Sequence, residues 1–177
     1  MERDALRNNQ RLLSYLAHLP KKIVSLEGIE HTPAFVLHEL CNENCFNLSK
    51  AAFFADSPDF NSLKGIAGFD GQEQFGKPEV MWQEPQSFIA HLNSKAHFNT
   101  QVRQVNKFSL FKNGTMSNEQ AQELAKQLGF QNPAFASWQM KHDNFGFLVY
   151  EHQNQLLDGI QEQLDNSLYL LNFCPLF

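Results

Sequence analysis

The segment His38-Glu39-Leu40-Cys41-Asn42-Glu43-Asn44-Cys45 carries the side chains best suited to chemistry. On a helix, positions i, i+3 and i+7 lie on one stripe, so His38, Cys41 and Cys45 would face the same direction. An imidazole and two thiolates suit zinc, and His31, just before the helix, could supply a fourth ligand. The paired C-x-x-C turn of structural zinc sites is missing, and buried cysteine often packs as a small apolar side chain. The stripe is therefore interpreted first as core and second as a metal site.

A thiol enzyme is another chemistry that this helix allows. Cys41 or Cys45 would be the nucleophile, with His31 or His38 as the base. A thiolate is favoured near a helix N-terminus, whereas Cys41 lies in the middle and Cys45 near the C-terminal end, where the helix dipole opposes negative charge. The H-E-x-x-H pattern of zinc proteases also lacks its second histidine here. An enzyme that uses this helix, with Glu39 or His31 assisting, is kept as the alternative hypothesis.

Other familiar catalytic patterns are absent from the sequence. It contains no G-x-G-x-x-G, Walker A or G-x-S-x-G sequence, and the glycine run at residues 65–68 is too short to cradle a phosphate. Asp56, Asp59 and Asp70 do not follow calcium-loop spacing and are interpreted as turn residues, because Asp readily bonds to nearby backbone in turns. No cofactor is expected.

Charge and cysteine content limit the partners and the compartment. The net charge is −5 and the 14 Lys and Arg residues are dispersed, so nucleic-acid binding, which depends on clustered cations, is not expected. The three cysteines form no regular disulfide pattern, and the N-terminal residues contain no apolar signal segment. These features predict a reducing, cytoplasmic location. No apolar run is long enough to cross a membrane, so a membrane role is not expected.

In the first half of the chain, apolar spacing and turn residues predict alternating helices and strands. Thr32 is a competent N-cap and Pro33 suits the first helical position, so a helix begins there and runs to about Asn44. Pro20 is expected to end the preceding helix. The other predicted elements are helices over residues 2–18 and 85–96, and strands over residues 23–26, 50–55 and 65–69.

The second half has clearer boundaries. Ser117-Asn118-Glu119-Gln120 has the form of a capping box, and Gly129 suits the end of the helix that follows. Strands over residues 135–141 and 145–150 are expected to form an antiparallel hairpin, because only three residues separate them. A strand over residues 102–111, with a bulge between Val102 and Val105, comes before the capping box. A helix with Leu156, Leu157, Ile160 and Leu164 facing inward and a strand over residues 168–173 complete the chain.

This order of elements predicts an α+β protein made of two ferredoxin-like (βαββαβ) halves, residues 1–98 and 99–177. Several pairs of residues that are as far apart in the sequence as Glu39 and Glu123 are alike, which indicates a possible degenerate tandem duplication. Each half would have an antiparallel sheet with its helices on one face. The opposite face of each sheet would then be free for binding.

The paired strands of the second half suggest where such binding occurs. Side chains alternate along a strand, so Ala136, Trp138 and Met140 share an apolar face. That face is expected to lie under the helices that begin near Ser117 and Gln153. Ser137, Gln139 and Lys141 share the other face and are predicted to form a ligand- or partner-binding surface.

The leading hypothesis is a non-catalytic ligand-binding, regulatory or interaction module for an unidentified small molecule or protein. It rests on the lack of any spacing that acid–base, nucleophilic or phosphate chemistry requires. The metal-dependent or thiol enzyme on the His38, Cys41 and Cys45 helix is the alternative. A homo-oligomer that associates through exposed sheet edges is a third possibility.

Overall fold

A five-stranded antiparallel sheet organises the chain in the computed structural model, which describes residues 2–154 and 159–176 (backbone alone for residues 2–5). The fold is α+β, with seven α-helices in the described residues. The helices are Glu2–Ser25 (α1), Thr32–Cys41 (α2), Pro78–Gln83 (α3), Pro85–Ser94 (α4), His97–Arg103 (α5), Asn118–Gln127 (α6) and Ile160–Ser167 (α7). The strands are Leu48–Ser57 (β1), Ser62–Asp70 (β2), Asn106–Lys107 (β3), Phe111–Lys112 (β4), Thr115–Met116 (β5), Ala134–Gln139 (β6) and Phe145–His152 (β7).

The strand order of the large sheet is β3-β2-β1-β7-β6, and β4 pairs with β5 in a separate ribbon. Strand β1 lies at the centre, antiparallel to both β2 and β7. The sheet therefore joins strands from both sides of the proposed division at residues 98 and 99. The hairpin predicted over residues 135–150 is confirmed as the antiparallel pair β6 and β7.

Both faces of the sheet are covered, because its central strands are apolar at consecutive positions. Phe53 on β1 faces one apolar cluster and Phe54 faces the other, and Leu148 and Val149 divide in the same way on β7. The first cluster is shared with α1, α2, α3, α4, α7 and the C-terminal turns, and the second with α5, α6 and β4. The expectation that helices occupy a single face is therefore wrong. Strands that are buried on both sides read as continuous apolar runs and need cover on both sides.

The first and the last strand predicted for the duplicated arrangement are helical in the structure. Residues 23–26 were expected to form a strand, but α1 continues through Pro20 to Ser25. Leu19, Ile23 and Leu26 are buried at helical spacing, which outweighs the backbone bond that proline removes. Residues 168–173 form 3₁₀ turns rather than a strand, with Leu168 and Leu171 buried at the three-residue spacing of that helix.

Residues 102–111 differ from the predicted strand as well. Val102 belongs to α5, and only the short strands β3 and β4 follow it. Two ferredoxin-like halves are therefore not confirmed, since the first and last strands of that arrangement are helical. The helix predicted after Ser117 is confirmed as α6, with Ser117 at its N-cap position and Gly129 in a left-handed conformation just after its end. The Ser117 side chain makes no capping hydrogen bond, so the predicted capping box does not form. Leu156 and Leu157, predicted to face inward, lie outside the described residues.

Helix α5 packs unusually close to strand β2, and glycine makes this approach possible. A Cβ atom on Gly65 would lie 1.7 Å from the carbonyl oxygen of Val102, and one on Gly68 would lie 2.8 Å from Cγ2 of Val102. The backbone N–H of Gly68 donates to Oδ1 of Asn99 at 2.9 Å, which ties the helix to the strand. The glycine run at residues 65–68 therefore serves helix packing.

Candidate functional site

Helix α2, which carries His38 and Cys41, is buried along its whole length. It ends at Cys41 and not near Asn44 as predicted, so Cys45 lies in the turn after it. Nε2 of His38 lies 3.3 Å from the carbonyl oxygen of Gly68, and the ring packs edge-on against Phe69 and Phe88. Burial lowers the pKa of His38 to about 4. The imidazole is therefore neutral near pH 7, and its Nε2–H donates a hydrogen bond to the Gly68 carbonyl oxygen.

Cys41 and Cys45, which were predicted to share a helical stripe, are also in low-polarity surroundings, although only Cys41 belongs to α2. Cys41 is buried and Cys45 is half-buried, and both are free thiols. Burial raises the pKa of Cys41 well above its ordinary value. Burial and the nearby carboxylate of Glu39 raise the pKa of Cys45. A thiolate nucleophile is disfavoured at both positions.

His31 lies in different surroundings from His38. It precedes α2 in a left-handed backbone conformation, and its Nδ1 lies 3.0 Å from Nη1 of Arg103. Burial and the charge of Arg103 lower the pKa of His31. Within residues 2–154 and 159–176, no group of three or more His, Cys, Asp or Glu side chains could hold a metal ion. The structure does not bring His31, His38, Cys41 and Cys45 together as one ligand set.

Glu39 is the charged residue of α2 that has a defined set of partners. Its carboxylate accepts hydrogen bonds from Nζ of Lys22 on α1 and from Nε1 of Trp82 on α3, the latter at 2.8 Å. Nearby, Nδ2 of Asn42 donates to the hydroxyl of Tyr15 at 2.6 Å. These contacts connect three helices, and all of the carboxylate's bonds go to groups of the protein itself. We therefore assign Glu39 a structural role.

The three aspartates interpreted as turn residues have separate roles. Asp56 is fully buried on β1, where its carboxylate accepts from the Ser109 hydroxyl at 2.5 Å and the Leu110 N–H at 2.7 Å. Burial raises the pKa of Asp56. Asp59 is exposed in a turn, and Asp70 accepts from the backbone N–H of Gln72, as the turn interpretation predicts.

A polar cavity of about 750 Å³ opens where β1 begins and β2 and β7 end. We call it the strand-end cleft. Its other walls come from the C-terminal end of α2, the loop between β2 and α3, and the turn after α6. Residues far apart in sequence meet here, because three neighbouring strands reach the same edge of the sheet.

Three charged groups in the strand-end cleft, those of Lys50, Asp70 and Glu151, are bonded to the protein itself, whereas Glu43 and Lys77 are exposed in its lining. Nζ of Lys50 donates to the Leu128 carbonyl at the end of α6 at 3.0 Å and lies 4.0 Å from Asp70. A cation at this position complements the negative end of the helix dipole. The carboxylate of Glu151 accepts from the backbone N–H groups of Gln131 and Asn132.

Five neutral amide side chains form a further part of the polar surface of the cleft. Their side chains have no hydrogen-bond partner in the part of the chain that the structure describes. Each offers both a donor and an acceptor, so together they can bind a ligand that carries both. They are Asn47, Gln72, Gln74, Gln131 and Gln153.

The loop on one side of the cleft has a partial phosphate-binding pattern. Residues 71–77 read G-x-x-x-x-G-K, but Pro78 occupies the position at which such loops have Ser or Thr. Gly71–Glu73 forms a 3₁₀ turn capped by the carboxylate of Asp70, which places negative charge at the start of the loop. The helix that follows has only six residues and begins with a proline, which has no N–H to donate. The local structure does not form a phosphate cradle.

The predicted binding residues on β6 and in the turn after it are at the surface. Ser137, Gln139 and Lys141 are exposed, whereas Trp138 is buried and stacks on Phe53 with ring centroids 5.5 Å apart. The predicted core role of Trp138 is confirmed. Its neighbours are α7 and the C-terminal turns, whereas α6 packs on the opposite face. Ser137 and Gln139 lie on the same sheet face as α5 and α6, but at its outer strand.

Two other cavities on the surface are mainly apolar. One, of about 610 Å³, has Phe60 and Phe108 in its lining, and these two rings are 84% and 76% exposed. The other, of about 510 Å³, lies between the end of α1 and Phe173. The first cavity also has six hydrogen-bonding side chains among its ten lining residues, whereas the lining of the second is almost entirely apolar.

Comparison with known proteins gives no identification: the chain matches no family model, no curated protein and no solved structure. Of the helices that the structure describes, none combines the length and apolar character needed to cross a membrane.

Proposed function

We propose that the protein is a non-catalytic binding module that holds a small, uncharged and hydroxyl- or amide-rich molecule in the strand-end cleft. The observation that carries this proposal is a difference among the polar groups of the cleft, since some are bonded to the protein and others are not. Lys50, Asp70 and Glu151 are bonded to the protein, whereas the neutral amides have no protein partner among the described residues.

We expect the ligand to be uncharged because of the same difference among the polar groups. A charged ligand that binds Lys50 or Glu151 would have to displace Lys50 from Leu128 and Asp70, or Glu151 from its two N–H donors, and each displacement leaves a polar group unpaired. Glu43 and Lys77 also line the cleft, but both are exposed, so water and salt screen their attraction for a charged ligand. A hydroxyl or amide group donates and accepts, as a carboxamide does, and pairs with it without any such loss. The cavity volume lies within the range of small-molecule sites.

A titration followed by ¹H–¹⁵N correlation spectra tests the proposal, because these spectra observe the side-chain NH₂ groups of Asn and Gln directly. The probes are a panel of neutral mono- and disaccharides and neutral dipeptide amides, with sugar phosphates and amino acids as charged counterparts. We expect at least one neutral probe to shift the NH₂ signals of Gln74 and Gln131, and its charged counterpart to bind more weakly.

Matched variants separate the cleft from other amide-bearing surface. The double variant Gln74→Ala with Gln131→Ala is expected to weaken binding roughly tenfold or more, because each lost neutral hydrogen bond contributes about 1 kcal/mol. Gln122→Ala removes an exposed amide on α6 and should leave the affinity unchanged. The proposal is rejected if no neutral probe binds, or if the double variant binds as tightly as the wild-type protein.

A further inference from the structure

Strand β6 is an outer strand of the sheet, and among the described residues its whole length is paired on one side only. It has β7 as its neighbour, with which every residue from Ala134 to Gln139 is in register. Along residues 134–139, the described part of the chain makes no backbone hydrogen bond other than those to β7. An outer strand of this kind presents unpaired N–H and C=O groups to another chain.

The turn after β6 establishes which backbone groups point outward. The N–H of Met140 donates to the carbonyl of Asn144 at 2.7 Å, so these two residues form a hydrogen-bonded pair in the register of the hairpin. Hydrogen-bonded and non-hydrogen-bonded pairs alternate along an antiparallel ladder. The backbone groups of Ala136 and Trp138 therefore point to β7, and those of Phe135, Ser137 and Gln139 point away from it.

We infer that β6 is a dimerisation edge, on which the β6 strand of a second copy of this chain pairs antiparallel about a two-fold axis at Ser137. In this register Ser137 of one chain lies opposite Ser137 of the other, and Phe135 of each chain lies opposite Gln139 of the other. All outward backbone groups of these residues are then paired. If the register of the two strands moved by one hydrogen-bonded pair towards the N-terminus, Pro133 would lie opposite Gln139. Proline has no N–H, so this register would have fewer hydrogen bonds between the chains.

The side chains of β6 fit this self-pairing. Small and large residues alternate across the axis on the apolar face, where Ala136 would lie opposite Trp138 of the other copy and Ala134 opposite Met140. The indole of Trp138 is already fixed, because it lies over Gly146, where a Cβ atom would be 2.2 Å from the ring. No side chain has to leave the core to form the pair.

Charge does not oppose the association, although the protein as a whole has a net charge of −5. Strand β6 has no charged residue, and natural outer strands that avoid pairing usually carry such residues or a proline. Lys141 would lie at opposite ends of the paired strands in the two copies. These two ammonium groups would be roughly 25 Å apart, well beyond the Debye length of about 8 Å.

A proline substitution at Ser137 tests the inference without removing any bond inside the chain. Because its N–H points outward, Ser137→Pro should keep the β6–β7 ladder and lose the contact to the second copy. Sedimentation equilibrium of the wild-type protein at about 10–200 µM is expected to show a reversible dimer of twice the 20.3 kDa chain mass. Ser137→Pro and Ser137→Lys should be monomers over the same range.

Control variants distinguish loss of pairing from loss of folding. Ala136→Pro removes an N–H that bonds to β7 and should lower the melting temperature, whereas Ser137→Pro should not. Ser94→Lys adds the same charge as Ser137→Lys on an exposed position of α4 and should remain dimeric. If Ser137→Pro fails to fold, Ser137→Lys decides the outcome.

The register has its own test. In a Cys45→Ala background, Ser137→Cys should form an intermolecular disulfide under mild oxidation, because the Cα atoms of a hydrogen-bonded antiparallel pair are about 5.5 Å apart. Gln122→Cys, on exposed helix α6, should not. The inference would be overturned by a wild-type protein that stays monomeric, or by a dimer that persists in both Ser137 variants. If β6 instead pairs with an extended peptide of another protein, the wild-type protein alone would be monomeric.

Discussion

The Nζ atom of Lys22 on α1 lies 2.6 Å from Oε1 of Glu39 on α2, a side chain that is 1% exposed. The first helix of the chain is therefore attached to the core by a buried carboxylate as well as by apolar contacts. A buried charge is tolerated only when its partner is present, so the stability of this pair depends on both members.

Lys22→Met is expected to lower the free energy of unfolding by about 3 kcal/mol, because it leaves the buried carboxylate of Glu39 without its cation. Lys21→Met, on the exposed neighbour, should change it by less than about 0.5 kcal/mol. Adding Glu39→Met to Lys22→Met should recover much of the loss, since an apolar pair leaves no charge unpaired. Urea unfolding measures all three, and equal effects of Lys22→Met and Lys21→Met would contradict the expectation.

His38 should make stability depend on pH. Burial holds its pKa at about 4, whereas the unfolded side chain titrates near 6.5. Between these values the unfolded chain binds more protons, so the free energy of unfolding falls as the pH is lowered through this window. The contribution of this group is roughly 2 kcal/mol between about pH 7 and pH 5.

His38→Phe should remove that part of the pH dependence and retain the edge-on packing. The dependence is reduced rather than abolished, because burial also lowers the pKa of His31 and His152. His18→Gln, at an exposed position of α1, should leave the wild-type slope unchanged. Urea unfolding at several pH values is the measurement, and an unaltered slope in His38→Phe would be inconsistent with a buried neutral imidazole.

The close packing of α5 on β2 predicts different outcomes at two neighbouring glycines. Gly65→Ala should destabilise the protein by more than about 3 kcal/mol, because its Cβ would meet a backbone carbonyl that cannot move without the helix. Gly68→Ala should cost less, since its closest contact is a methyl group of Val102. Val102→Ala should offset part of the loss for Gly68→Ala and none of it for Gly65→Ala. Thermal unfolding of the single and double variants provides the comparison.

The elements that sequence reasoning identified correctly depend on local chemistry. Ser117 and Gly129 bound helix α6 as expected, and the short turn before Phe145 makes β6 and β7 a hairpin. The buried side of β6 was also recognised, because alternation places Trp138 opposite to Ser137 and Gln139. These features involve residues within a few positions of each other, and their signals are present in the sequence.

The errors occurred where distant packing decides the outcome. Residues 23–26 and 168–173 are apolar and short, and a short apolar run is compatible with either a strand or a helix. Their helical form is selected by the surfaces that bury Ile23 and Leu171. Cys41 and Cys45 were likewise predicted to share one helical stripe, but α2 ends at Cys41. Their sequence positions also did not reveal the burial that raises the pKa values of both thiols.

The sequence by itself determined the α+β class, the hairpin, helix α6 and the apolar faces, because periodicity and the residue preferences of helix ends act over a few residues. Only the tertiary structure decided the strand order, the helices on both faces and the composition of the strand-end cleft. Lys50 meets Leu128 and Asp70 there because β1, β2 and the end of α6 converge. Such convergence depends on burying both faces of one sheet, a long-range requirement that leaves no pattern at the residues that it brings together.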